Sequence, residues 1–284
     1  MSSPHDAVGR TRRRTEWIDA RSIDRMADLL DRPHGWAAGV VPVPWHWMYF
    51  FNESVPGSQV GPDGHPLRGD FLPQIALPRR MFAGSEIRML ADLKTGTEAT
   101  VVETIESVDE KTGGAGPLIF VTVRCSIQQA GIDVLTERRV LVYLEPQRGS
   151  IPMPTTRPPA PVVAGETAVD WCPQAHELFR YSALTYNGHR IHYDADYARD
   201  VEGYPGVVVH GPLTATRLAL LARDITRRPL TFLSVRGKAP LFAGQVVRLA
   251  GRVESPDRVR LSAIRCDGAL AMEGIAETGG IPIR

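Results

Sequence analysis

The chain of 284 residues has only three cysteines, Cys125, Cys172 and Cys266, an odd number without the paired spacing of a zinc site. A disulfide framework and a structural metal are therefore not expected, and a reducing cytoplasm fits. Long apolar runs are missing too: none reaches the roughly 18 residues of a membrane span, and the N-terminus lacks the apolar region of a signal peptide. Charge of one sign is absent. With 33 basic against 32 acidic side chains and a net charge of +1, the chain does not read as a general binder of nucleic acid or of an anionic membrane. Aromatic residues make up only 7%, yet Trp36, Trp45, Trp47, Tyr49, Phe50 and Phe51 fall close together. They read as a packing layer between helix and sheet, or as one wall of an acyl pocket. Arg10, Arg12, Arg13 and Arg14 read as a solvated basic tail.

Taken in order, a short strand near Trp17 gives way to a helix over 22–30, with Ile23, Met26, Leu29 and Leu30 on one face. Residues 52–73 are rich in Gly and Pro and read as a long loop, of a kind that is usually a lid or a functional segment. Four strand-like segments follow, separated by turns at 94–96, 111–116 and 131, and a similar series recurs near the C-terminus. The stretch from Met81 to Arg88 lines up with that from Leu241 to Arg248, keeping Phe, Ala, Gly and Arg in place. Two copies of one helix-on-sheet unit are the economical reading. Between them lies a proline-rich stretch suited to extended polyproline II. The expected layout is thus 1–146, a linker at 147–165, and 166–284.

The chemistry concentrates between Phe179 and Pro212, which holds three of the eight histidines. A helix beginning at Pro173 keeps Leu178, Tyr181 and Leu184 on one face and stops at Asn187 and Gly188. Residues just past such a stop, His189 to His192, are free to face a cleft. Farther on, Gly211 and Pro212 open a helix that runs to about Asp224 and is apolar on nearly every side, so it should be buried. The N-terminus of a buried helix offers free N–H groups and the positive end of a dipole, which suit a developing oxyanion. An imidazole within reach would supply acid–base catalysis near neutral pH. That pairing points to chemistry next to a carbonyl.

The sequence NGHRIHYD, followed about twenty residues later by VVHGPL, resembles the MaoC-like (R)-specific enoyl-CoA hydratases and hydroxyacyl-thioester dehydratases, in a branch similar to the mesaconyl-CoA and itaconyl-CoA hydratases and the type 2 dehydratases. The family signature runs Asp, any residue, Asn, Pro, Ile, His. Here His192 and Ile191 match its last two positions, Asn187 stands at the Asp position, and His189 and Arg190 replace the Asn and Pro. The resemblance implies an α+β double hotdog fold, two units that each wrap an antiparallel sheet on a central helix. It further implies hydration of a 2-enoyl-CoA thioester or the reverse dehydration, with His192, Asn187 and Gly211 catalytic.

Asn orients a water but accepts no proton, so either His192 acts alone or a carboxylate assists, with Asp194, Asp196 and Glu202 near in sequence. Arg190 is expected either to recognise a substrate carboxylate, favouring a dicarboxylic acyl group such as mesaconyl or itaconyl, or to pair with Asp194 or Glu202. His189, Tyr186 and His210 complete the candidate substrate-binding set, although His210 equally suits a role in fixing the helix start. Arg236 and Lys238 either meet CoA phosphates or form an exposed basic pair. CoA enters as part of the substrate, and no cofactor or metal is expected. A hotdog thioesterase, a dehydratase acting on an acyl carrier protein, and an acyl-binding or metal-binding module built on His189, His192 and Asp194 remain open. So does assembly as a homodimer.

Overall fold

A computed structural model describes residues 3–114, 116–147, 149–158 and 162–279. Ten strands hydrogen-bond into one antiparallel sheet: β1 (Thr11–Trp17), β2 (Arg79–Met89), β3 (Glu98–Gly113), β4 (Gly116–Gln129), β5 (Ile132–Leu144), β6 (Glu166–Trp171), β7 (Phe232–Gly237), β8 (Val247–Ser255), β9 (Arg258–Ile264) and β10 (Leu270–Glu277). Their order is β1-β3-β4-β5-β2-β7-β10-β9-β8-β6. It reads the same from either edge once β6 to β10 are set against β1 to β5. The halves join where β2 pairs with β7, from Gly84 opposite Arg236 to Arg88 opposite Phe232.

Five α-helices accompany the sheet among the described residues: α1 (Ala20–Leu29), α2 (Trp47–Phe50), α3 (Ala175–Thr185), α4 (Ala195–Asp200) and α5 (Gly211–Thr226). Of these, α5 is the buried one, as its composition requires. It packs on β8, β9 and β10 and sinks Leu213, Leu218 and Ala219 out of water. Each fully buried leucine contributes about 1.5–3 kcal/mol, enough to hold a helix start that has no side-chain cap.

The first half keeps a backbone counterpart to the start of α5. Val41 N donates to Leu93 O and Val209 N donates to Leu241 O, each at 2.8 Å, and Val40 bridges Lys94 as Val208 bridges Phe242. Pro42 therefore stands where His210 does, and Val43 where Gly211 does. After it only the single turn α2 forms. The same register corrects the repeat: Leu241–Arg248 belongs with residues 93–100, at the entry to β3 and β8, whereas Met81–Arg88 lies within β2. A match of eight residues was too short to fix the register, while the order of the strand series was read correctly.

A second correction concerns the N-terminal arginines. Arg12, Arg13 and Arg14 lie in β1, which pairs with β3 from Thr11 opposite Thr104 to Trp17 opposite Glu98. Arg12 and Arg14 alternate to the inner side and reach buried Glu103 at 2.6 and 3.1 Å. In the linker, residues 149–158 form no helix or strand, and Pro154 O and Arg157 N bond to Gln245 and Cys266 of the second half. Residue 148 and residues 159–161 lie outside the described residues.

The long loop after α2 crosses to the second half. Asp63 O accepts from Arg190 N at 2.9 Å, and a Cβ on Gly64, whose φ is +87°, would lie 1.8 Å from Gly188 O. Only glycine allows that approach. Loop residues 63–65 are thereby held against the segment 187–192.

Candidate active site

Helix α3 ends with Tyr186 in the left-handed conformation (φ 50°), and Asn187 Oδ1 then accepts from His189 N at 3.0 Å. This side chain fixes the turn that follows the helix. Arg190–His192 form a single 3-10 turn. At three residues per turn His189 and His192 share a side and Arg190 faces away. Both histidines, with Asn187, line a cavity of about 390 Å³ that is walled also by Gly211, Pro212 and Thr214 of α5.

His192 is nearly buried, and its Nδ1–H donates to Val208 O at 2.7 Å. That bond fixes the tautomer and leaves the Nε2 lone pair for the cavity. Burial, together with the positive charge His189 can carry, pushes its pKa down to about 3. The ring is backed by His210, stacked on it at 3.6 Å between centroids, whose Nε2 meets Ser182 Oγ at 2.8 Å. Burial also holds His210 well below the usual imidazole range. Gly211 is the first residue of α5, so no carbonyl of that helix is available to its N–H. A Cβ there would stand 2.8 Å from the Phe82 ring, another wall of the cavity.

The neutral imidazoles carry a consequence for stability. In the unfolded chain His192 and His210 titrate near 6.5, so below that value the unfolded state binds protons that the folded state refuses. Stability is full above about pH 6.5 and is lost as pH falls toward about 3, by up to about 1.4 kcal/mol per pH unit for each such histidine. Urea denaturation is expected to give a lower midpoint at about pH 5 than at about pH 7.5. An unchanged midpoint would mean that these rings are charged or exposed.

Several expected site residues stand elsewhere. Arg190 does not line the cavity: its Nε and Nη2 bond to Asp194 Oδ2 at 3.0 and 2.7 Å, its Nη1 bonds to Pro62 O at 3.1 Å, and it covers the Tyr197 ring. It fastens the loop to α4 and is not placed to meet a substrate carboxylate. Tyr186 is 64% exposed and outside the cavity, because a left-handed helix end turns its side chain to solvent. His210 lies behind His192 and does not line the cavity. Asp194 caps α4 through Tyr197 N at 2.9 Å, and Asp196 pairs with exposed Arg199, so neither assists catalysis directly. Glu202 is buried and nears His189 at 3.6 Å, with Arg79 at 3.1 Å.

What the sequence reading missed comes from the first half. His65 and Arg80 line the same cavity. His65 lies 4.1 Å from His189 between ring centroids, and its Nδ1 meets Asp63 Oδ2 at 3.2 Å. Burial opposes the Asp63 charge, but the neighbouring imidazoles outweigh it and keep the group a carboxylate. Burial and the Arg80 charge keep His65 neutral. The alternative of a metal-binding module on His189, His192 and Asp194 finds no assembled cluster among the described residues, since Asp194 is tied to Arg190. Asp63, His65 and His189 instead bring one ligand atom each within 4.8 Å of one another. The nearby Arg80 charge disfavours a cation shared among them. The one signal in the sequence was the long Gly- and Pro-rich loop itself, which contains His65.

Residues 44–243 match the family model described as hydroxyacyl-thioester dehydratase type 2. A mesaconyl-C(4)-CoA hydratase of Chloroflexus aurantiacus is 43% identical over 276 residues, covering 96% of this chain and 97% of that protein. Among solved structures, a MaoC-like dehydratase from Phytophthora capsici superposes with a TM-score of 0.72 at 14% identity, covering 98% of each chain. A Mycobacterium tuberculosis protein described as having a double hotdog fold superposes with a TM-score of 0.59 at 12% identity, over 95% of this chain and 96% of that one. The fold is accordingly a double hotdog, with α5 as the wrapped helix of the second half.

Proposed function

Since the chain belongs to the hydroxyacyl-thioester dehydratase type 2 family, we propose that this cavity adds water reversibly across the double bond of a 2-enoyl-CoA thioester. One observation carries the reading: a neutral imidazole with Nε2 open and the N–H of the buried helix start at Gly211 wall the same cavity. Water is held between His192 Nε2 and the Asn187 amide. As its oxygen bonds to Cβ, its proton passes to Nε2 and the π electrons move to the thioester oxygen. The Gly211 N–H meets that oxygen as its charge grows. The enolate raises the proton affinity of the nearby imidazole, which offsets the low resting pKa, and Cα then takes the proton back. Such acid–base help contributes about 10²- to 10⁴-fold, and one oxyanion donor about 10²- to 10³-fold. The reaction consumes only water, so no metal or cofactor enters the proposal.

The acyl group is proposed to be dicarboxylic, as in the substrate named for the Chloroflexus relative. Exposed Arg236 and Lys238 at the cavity wall suit the CoA phosphates. Three free cysteines suit a cytoplasmic setting. Among the described residues no helix is long and apolar enough to cross a membrane. The outer edges β1 and β6 are the surfaces proposed for a homodimer. The substrate class is tested by comparing kcat/KM for mesaconyl-CoA, itaconyl-CoA and crotonyl-CoA. A preference of at least about tenfold for a dicarboxylic thioester is expected, which corresponds to one charge-assisted contact. A preference for crotonyl-CoA would assign the cavity to plain acyl chains.

A further inference from the structure

The cavity carries more positive charge than its neighbours neutralise. Arg12 is paired with Glu103 at 2.6 Å and with Glu53. Arg139 is paired with Glu137 at 2.8 Å and lies 3.8 Å from Glu103. Lys238 is paired with Glu273 at 2.8 Å, and Arg236 is exposed at the wall. Arg80, at the start of β2 and only partly exposed, has a side chain that makes no ion pair or hydrogen bond among the described residues. Its charge instead bears on His65 and on Arg68, whose own guanidinium is spent on the Ile75 and Leu77 carbonyls. A half-buried guanidinium facing a cavity, beside a second cation and with no anion paired to it, is arranged to receive one.

We propose that Arg80 binds the free carboxylate of the acyl group and thereby sets the selectivity of the site, an inference that rests on the dicarboxylic reading above. The position suits the chemistry. In a C4 2-enoyl thioester that bears a second carboxylate, this group is bonded to Cβ, the carbon that water attacks. It must therefore lie just past His192 as seen from Gly211. The same cavity wall carries His189, 5.5 Å from His192 between ring centroids, and His65, 4.1 Å from His189, with the Arg80 charge bearing on His65. Neutralising the carboxylate also removes a negative charge from the carbon that a water oxygen must approach. Phe51, Met81, Phe82 and Leu141 supply apolar wall for the hydrocarbon part. Arg190, the guanidinium of the 179–212 segment expected in this role, is committed to Asp194.

The test compares wild-type enzyme with Arg80→Met and Arg80→Lys, each first checked for an unchanged melting temperature. The quantity read is the ratio of kcat/KM for mesaconyl-CoA to that for crotonyl-CoA. Loss of a bidentate charge-assisted contact is expected to lower this ratio by on the order of 10- to 100-fold in Arg80→Met. Arg80→Lys keeps the charge without the fork and is expected to fall between the two. If the methionine variant does not fold, the lysine variant must still lower the ratio. A wild-type preference that survives both substitutions overturns the assignment of Arg80 alone. A wild-type enzyme that hydrates crotonyl-CoA and shows no preference overturns the dicarboxylic reading, and this inference with it.

Discussion

Replacing His192 by alanine is expected to lower kcat for hydration of a 2-enoyl-CoA by about 10²- to 10⁴-fold, with a far smaller change in KM. The size follows from the composition of the site. No carboxylate stands at position 187, and Asn187 Oδ1 is already engaged by His189 N at 3.0 Å. Among the imidazoles lining the cavity, His192 is the one with its Nδ1 fixed to a backbone carbonyl, at 2.7 Å, and Gly211 nearby on the same wall. Removing the ring also removes the partner stacked on His210 at 3.6 Å. His192→Asn keeps a polar group in the space and serves as the check on packing. A similar loss in both variants, at an unchanged melting temperature, locates the defect in proton transfer. Retention of activity within tenfold would move the acid–base role to another imidazole of the cavity.

The second large effect is expected at Gly211. Proline there removes the N–H proposed to meet the enolate oxygen, and the backbone tolerates it. Proline is at home in the first turn of a helix, and the preceding His210 already has φ −61° and ψ 129°, the extended conformation that a following proline requires. Gly211→Pro is expected to lower kcat by about 10²- to 10³-fold. A side chain at this position also presses on the Phe82 ring, because the Cβ would stand 2.8 Å from its Cδ1. Gly211→Ala carries the same Cβ and keeps the N–H, so it measures the steric part. An alanine variant much more active than the proline variant is the expected result. Equal losses would attribute the effect to Phe82 and leave the N–H without a role.

The parts of this site that were legible in the sequence are those fixed by local rules. A helix apolar on nearly every side had to be buried, and a Gly-Pro start had to open it toward something. The α5 boundaries differ from the reading by about two residues at the far end, within the fraying of any helix end. Side-chain direction within 187–192 was not legible, because a 3-10 turn sends Arg190 opposite to His189 and His192 and sequence spacing alone does not reveal the turn type. Only the Trp17 end of strand β1 was read as strand, since the inward positions before it hold Arg12 and Arg14, matched by buried Glu103. A period of two filled with charge looks like a tail. His65 and Arg80 were out of reach for a different reason. His65 meets His189 across more than a hundred residues of chain, through a loop whose approach depends on Gly64 facing Gly188, and Arg80 joins them on the cavity wall from β2. No local pattern encodes such a contact.

The central claim, addition of water to an enoyl thioester, is tested most directly by following the enoyl-thioester absorbance when purified protein is mixed with mesaconyl-CoA, while free thiol is titrated in the same cuvette. The expected result is loss of the band to an equilibrium level with no thiol released, abolished in His192→Ala. Stoichiometric release of thiol would make the protein a thioesterase, and an unchanged band with mesaconyl-CoA, itaconyl-CoA and crotonyl-CoA alike would contradict the account.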